Sequence, residues 1–162
     1  MNKKTLKILL RCFVAIIIVG LLSFPWVLYG IGLANVNGRP IHAERISITK
    51  TEAEALWHQL RETGPMEIEK LSPWDYVFLF VGKDKIHRGE RLAWFVARNH
   101  NAESLKDRRM LLWHLSGASL TIWLTRNWTA QELLAKANEI KHNRRAALND
   151  AMQRTAEKGG VR

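Results

Sequence analysis

Cys12-Phe13-Val14-Ala15-Ile16-Ile17-Ile18-Val19-Gly20-Leu21-Leu22-Ser23-Phe24-Pro25-Trp26-Val27-Leu28-Tyr29-Gly30-Ile31-Gly32-Leu33-Ala34 is an uncharged run of about 23 residues, and Lys3, Lys4, Lys7 and Arg11 precede it. About 20 predominantly apolar residues cross a bilayer as a helix, and in hydrocarbon a helix satisfies its own backbone hydrogen bonds. Trp26 and Tyr29 fall near the far end, where amphipathic rings favour the headgroup level. The cations flank one side only, so the positive-inside rule predicts a cytoplasmic N-terminus and an exported chain from Asn35 onward. A cleavable signal peptide has an apolar core of roughly 7–15 residues before small residues at the cut. This run is longer, so an uncleaved signal anchor is read in preference to a cut after Gly32-Leu33-Ala34. Cys12 follows Arg11 and opens the run rather than closing it, which is the wrong place for a lipidated cysteine. Pro25 is expected to kink the span and not to end it.

Cys12 is the only cysteine, so no intramolecular disulfide is available and the exported part must hold together by packing. Its roughly 128 residues suffice for one modest core. Formal net charge is +10; without the four cations of the N-terminal tip, about +6 remains, concentrated in the last quarter of the chain. Outside the cytoplasm that balance argues against nucleic acid and for anionic partners such as lipid headgroups, cell-wall polymer or an acidic protein face.

The exported segment reads as an all-α, small irregular bundle. Residues 1–11 form a basic cytoplasmic tip, 12–34 the anchor, 35–50 a connector, 51–153 the helical domain and 154–162 a basic flexible tail. Asn37-Gly38-Arg39-Pro40 signals a turn, and Ile46-Ser47-Ile48-Thr49 alternates like a short strand. Thr51 with Glu54 reads as a capping box opening a helix that Gly64-Pro65 closes. Ser72-Pro73-Trp74-Asp75 opens the next, which is expected to end at Gly82. Glu90 to His100 is amphipathic. A further helix is predicted from Glu103 to Leu115, broken by Ser116-Gly117, and Ala118 to Leu124 is apolar on nearly every face, as in a central buried helix. Thr129 with Glu132 forms a second capping box, with Leu133, Ala137 and Ile140 facing inward.

Seven tryptophans stand out. Indole packs cores and also binds sugar faces and lipid interfaces; in a domain without disulfides most are expected in the core, with Trp128 the best candidate for a partly exposed ring. The histidines His58, His87, His100, His114 and His142 are scattered, and no HExxH or CxxC spacing occurs, so no metal site and no cofactor is predicted. His114 lies near Ser116 and Ser119, yet the Gly-x-Ser-x-Gly elbow of a hydrolase is missing. Glu103 and Asp107, four apart, are the weak candidates for catalytic acids; solvated ion pairs are their default.

Gly117-Ala118-Ser119-Leu120-Thr121-Ile122-Trp123-Leu124-Thr125-Arg126-Asn127 resembles the Gly-(Gly/Ala)-Ser-Thr-Ile-Thr-Gln-Gln-x-x-Lys-Asn motif of the peptidoglycan glycosyltransferases, the transglycosylase domains of penicillin-binding proteins. Asp107-Arg108-Arg109 with His114 is similar to a Glu-Asp-Arg-Arg-Phe-x-x-His block of that family, and Lys136 with Glu139 to a later Arg-Lys-x-x-Glu element. The resemblance implies a helical domain on the outer face of the inner membrane. It also implies that Arg126, at the place of the family's cation, helps bind lipid-linked pyrophosphate, with Ser119, Thr121, Asn127 and Trp128 beside it. The motif here is one residue short and lacks the paired glutamines, and Lys106 stands where the catalytic glutamate precedes Asp107. A lysine does not replace a carboxylate base without a large pKa change. The expected protein is therefore a degenerate, non-catalytic relative that binds cell-wall polymer, its lipid-linked precursor or the membrane surface. The alternatives are an accessory or immunity-type interaction protein of an envelope complex and, third, a reduced transglycosylase.

Overall fold

The computed structural model describes residues 3–44, 48–80, 86–107 and 109–159. Among them are six α-helices and no strand: α1 Lys3–Ala34, α2 Lys50–Gln59, α3 Pro73–Phe80, α4 Glu90–Ser104, α5 Met110–Asn127 and α6 Ala130–Gly159. Val36 and Leu105 form an isolated antiparallel bridge. The short strand expected around Ile46 and the helix end at Gly82 lie outside the described residues. The fold is all-α, and Lys7–Ala34 of α1 is long and apolar enough to cross a membrane.

That helix has two parts with different surroundings. The large apolar side chains from Ile8 to Phe24 are exposed. From Pro25 to Asn35 the helix lies against α5 and α3. Its course is antiparallel to α5: Trp26 faces Arg126, Gly32 faces Ser119 and Leu115, and Asn35 Nδ2 donates to Ser116 Oγ and to the Asp107 carbonyl, both at 3.1 Å. α3 also runs antiparallel to α5, with the Leu71 amide donating to Thr125 Oγ1 and Tyr76 hydrogen-bonded to Thr121. α4 is the centre of the bundle, packed between α5 and α6, and α2 closes the other side of α6. Leu92, Val96, Leu120, Leu124 and Leu133 are fully buried at these contacts.

Several expected boundaries move. The capping box of α2 is Thr49 with Glu52, not Thr51 with Glu54. Both registers satisfy the same four-residue pattern; the one adopted turns Ala53, Leu56 and Trp57 into the core and leaves Ala55 exposed. α2 ends before Gly64. Arg61 takes φ 59°, and the Glu62 amide reaches the Trp57 carbonyl while the Arg61 amide reaches that of His58, a Schellman closure with arginine at the position glycine usually fills. The second correction is at Ser116-Gly117, which does not break a helix. α4 runs on to Ser104, residues 105–107 and 109 are non-helical, and α5 passes through Gly117. A Cβ on Gly117 would stand 2.8 Å from Trp94 Cζ3, so this glycine permits close helix packing. Glu103 and Asp107 accordingly do not share a helix face. α6 continues helically through Gly159, where a flexible tail from Arg154 was expected.

The Schellman turn aims Glu62 at the start of α4. Its carboxylate, 4% exposed, accepts from the amides of Gly89, Arg91 and Leu92 at 3.0, 2.8 and 3.4 Å. These are orphan donors of a helix N-terminus, where negative charge is also favoured by the helix dipole. The Arg91 guanidinium in turn donates to the Arg61 carbonyl. Glu62→Ala strands all three amides and should cost about 2–3 kcal/mol, read from chemical denaturation of the purified chain. Gly32→Ala should destabilise by about 1–3 kcal/mol through overpacking, because its Cβ would fall 2.6 Å from the Leu115 carbonyl oxygen. Gly30→Ala, with nothing within 4 Å, should leave the melting temperature in detergent unchanged.

Candidate functional site

The residues that sequence singled out are mostly committed to holding the bundle together. Ser119 is buried against Gly32. Thr121 Oγ1 is buried and donates to the Gly117 carbonyl at 2.8 Å. Trp128, expected as a partly exposed ring, is 5% exposed, with the ring of His42 stacked on it at 4.3 Å. Asn127 Nδ2 donates to the Trp123 carbonyl at 2.7 Å. Arg126 is exposed; it donates to the Leu71 carbonyl at 3.1 Å and lies 5.9 Å over the Trp26 ring. Asp107 is held below the usual carboxylate range by hydrogen bonds from Arg109, whose guanidinium stands 2.7 Å away. An ionised, paired carboxylate is poorly suited to donate a proton.

Glu103 has a different setting. It lines a cleft of about 720 Å³ between α4 and α6, with Arg39, Pro40 and Ile41 forming one wall. This volume falls in the usual range for small-molecule sites. The helical spacing of Val96, Asn99, His100 and Glu103 puts them along one side of α4, and Lys136, Glu139, Ile140 and Arg144 do the same on α6. The third wall depends on the turn Asn37-Gly38-Arg39-Pro40. Gly38 takes φ 71°, a conformation glycine adopts without steric cost. Arg39 folds back to donate to the Leu33 carbonyl at 3.2 Å.

Charge in the cleft is mixed, with a cationic excess. Lys136 pairs with Glu139, and Glu139 also accepts from the Glu44 amide at 3.1 Å. Arg144 donates to Asn99 Oδ1 at 2.8 Å and covers the Phe95 ring at 5.7 Å. His100 is hydrogen-bonded to the Gly38 backbone, while its Nε2 is buried without a partner. Like Trp57 Nε1 and Asn101 Oδ1 elsewhere in the bundle, this atom is open to a bond from water or from a ligand that reaches it. Burial pushes His100 below the ordinary histidine value, with Glu103 opposing. The arrangement suits a ligand with an anionic group for the arginines and an O–H or N–H donor for His100 Nε2.

A second polar cluster joins α3 to the start of α4. His87 Nδ1 lies 3.1 Å from Glu69 Oε2 and its Nε2 lies 3.8 Å from Asp75 Oδ1. Arg88 Nε donates to Glu69 Oε1 at 3.1 Å, and the His87 amide donates to Glu90 Oε2 at 3.1 Å. Burial raises Glu90 above the usual carboxylate range. Asp75 also accepts from the Ser72 amide, so these groups act as a joint. Among the described residues no group of three or more His, Cys, Asp or Glu side chains has metal-holding geometry.

Comparison with protein-family models, curated proteins and solved structures finds no match to this chain. Lys136 and Glu139 were visible from the sequence as a pair, and Glu103 as the partner of Asp107. Arg39, His100 and Arg144 were not, because they come from three separate segments. The available signal was the 96-99-100-103 spacing on α4, with polar groups at positions a fully buried stripe would fill with apolar ones.

The His100 shift predicts a pH response. Its folded value lies below the unfolded value of about 6.5, so the unfolded chain takes up the proton first. Stability is then complete above about pH 6.5 and declines as pH falls from there toward the folded value. Denaturation midpoints measured between about pH 8 and 5 should show this loss, and His100→Asn should flatten it.

Proposed function

We propose that this chain is a single-pass protein of the bacterial inner membrane, N-terminus cytoplasmic, whose periplasmic helical domain binds an anionic component of the cell envelope without turning it over. Cell-wall polymer and its lipid-linked precursor are the ligand classes. The observation that carries this reading is the α4–α6 cleft, where Arg39, Lys136 and Arg144 stand around an unpartnered His100 nitrogen. Arginine suits the oxygens of a carboxylate or phosphate because its planar fork donates two parallel hydrogen bonds. The exposed apolar length of α1 supports membrane attachment, and the one-sided cations support the orientation.

The placement of the acids supports a non-catalytic role. Asp107 is ion-paired outside the cleft, and Glu103 lines the cleft beside His100 with no second carboxylate free of a cation: Glu139 is tied to Lys136. The relation to the peptidoglycan glycosyltransferases is retained as that of a degenerate relative. A second reading, an accessory or immunity-type interaction protein, is favoured by one observation. Beyond the bundle, α6 carries exposed Leu148 and Met152 on the same side as Ala151 and Thr155, a stripe that suits a partner helix.

Co-sedimentation of the detergent-solubilised protein with purified sacculi should be salt-sensitive. It should fall at least about tenfold in the double variant Arg39→Gln/Arg144→Gln, the equivalent of about 1.4 kcal/mol. Binding unchanged in that variant removes the cleft from the reading. Binding lost instead on Leu148→Glu/Met152→Glu favours the protein-partner alternative.

A further inference from the structure

The depth at which the domain sits follows from the packing of α1, given the reading above that α1 spans a bilayer. The helix rises about 1.5 Å per residue, so Trp26 stands about 27 Å beyond Ile8, close to the roughly 30 Å of a hydrocarbon core. Arg11 lies one turn inside Lys7. Its side chain leans toward the helix N-terminus, as helical side chains do, and can carry its charge to the cytoplasmic headgroups. With Lys7 at the inner boundary, the outer boundary falls near Val27; with Arg11 there, it falls near Ile31. Helix tilt shortens the projected length and draws the domain closer still.

At that same height the domain has already begun. Arg126 lies over the Trp26 ring, and α1 is packed on α5 from there to Asn35 with no intervening linker. The end of the bundle formed by Lys70, Leu71 and the α5–α6 turn must therefore rest in the outer headgroup layer. What it presents fits that layer: Lys70, Arg126, Asn127 and Thr129 are exposed, and Trp26 is 48% exposed with Tyr29 edge-on at 6.2 Å. Leu71, whose carbonyl receives Arg126, is buried, so the polar rim covers a closed apolar floor.

We propose that this base is a lipid-contact surface, in which Arg126, oriented by the Trp26 ring and the Leu71 carbonyl, binds the phosphate of an outer-leaflet phospholipid. Among the described residues the guanidinium donates through one nitrogen to the Leu71 carbonyl, and its other N–H groups can meet phosphate oxygens. The consequence is a fixed depth and orientation: the bundle is seated on the bilayer, and the α4–α6 cleft keeps a set height above it.

The lone cysteine makes the test clean. In a Cys12→Ser background, spin labels at Thr129→Cys and Met110→Cys are compared in nanodiscs of phosphatidylethanolamine and phosphatidylglycerol. Met110 is 78% exposed and lies about 24 Å along α5 from Arg126. The label at 129 should show headgroup depth by oxygen and nickel-chelate accessibility, and the label at 110 should be fully aqueous. Equal aqueous accessibility at both positions overturns the proposal. Release of the full-length protein by carbonate, or a product cut near Asn35, would instead overturn the spanning reading on which it rests. Short-chain phosphatidylglycerol added to maltoside-solubilised protein should raise the melting temperature, with the rise lost in Arg126→Gln and retained in part by Arg126→Lys. A rise that survives Arg126→Gln, or one produced equally by glycerol phosphate alone, overturns the lipid assignment.

Discussion

Everything in this molecule depends on how closely α1 approaches α5. At Gly32 no side chain separates the helices, and the Leu115 carbonyl and the Ser119 side chain occupy the space a Cβ would need. Three residues on, Asn35 closes the contact by accepting from the Asp107 amide at 3.2 Å while donating to the Asp107 carbonyl and Ser116. Lys106 adds a bond from its ammonium to the Ala34 carbonyl at 2.8 Å, satisfying an orphan acceptor at the end of α1. Small residues let helix backbones approach, and hydroxyl and amide side chains then supply bonds across the gap. The anchor is thereby an integral wall of the bundle.

α5 is built for that position. Its buried residues include Ser116, Ser119, Thr121 and Thr125 beside Leu120 and Leu124, an unusual share of hydroxyls for a central helix. The bonded ones cost little: Ser116 accepts from Asn35, Thr121 and Thr125 return to carbonyls of their own helix, and Thr125 also receives the Leu71 amide. Burial without such partners is penalised. The same hydroxyls bring α3 and the 70–72 segment onto α5, and the Glu62 carboxylate ties the end of α2 to the start of α4. Polar bonds therefore set the register of the helices, while Leu92, Val96, Leu124 and Leu133 supply the apolar burial.

The cleft is a by-product of the order in which these helices pack. α4 is fully engaged by α5 on one side, so its Val96–Glu103 side meets only the far part of α6 and the turn after α1. Polar groups on that side were legible only as an amphipathic face. Ser119, Thr121 and Trp128 drew notice because their local pattern resembled a functional motif, yet the same small and hydroxyl residues meet the demands of close helix packing. A local pattern does not distinguish these uses, since both favour small polar side chains on an apolar helix.

The sequence by itself determined the membrane-compatible run, the all-helical class, the box of Thr129 with Glu132 and the inward face of Leu133, Ala137 and Ile140. Each is encoded within a few turns of one segment, through apolar length, periodicity or a four-residue cap. Tertiary structure alone decided which of two capping boxes opens α2, that Gly117 lies inside a helix, that Trp128 is covered by His42, and that Arg39, His100 and Arg144 share a cleft. The physical reason is common to all four. Competing local options differ by little, and the choice falls to burial and hydrogen bonding between segments far apart in the chain.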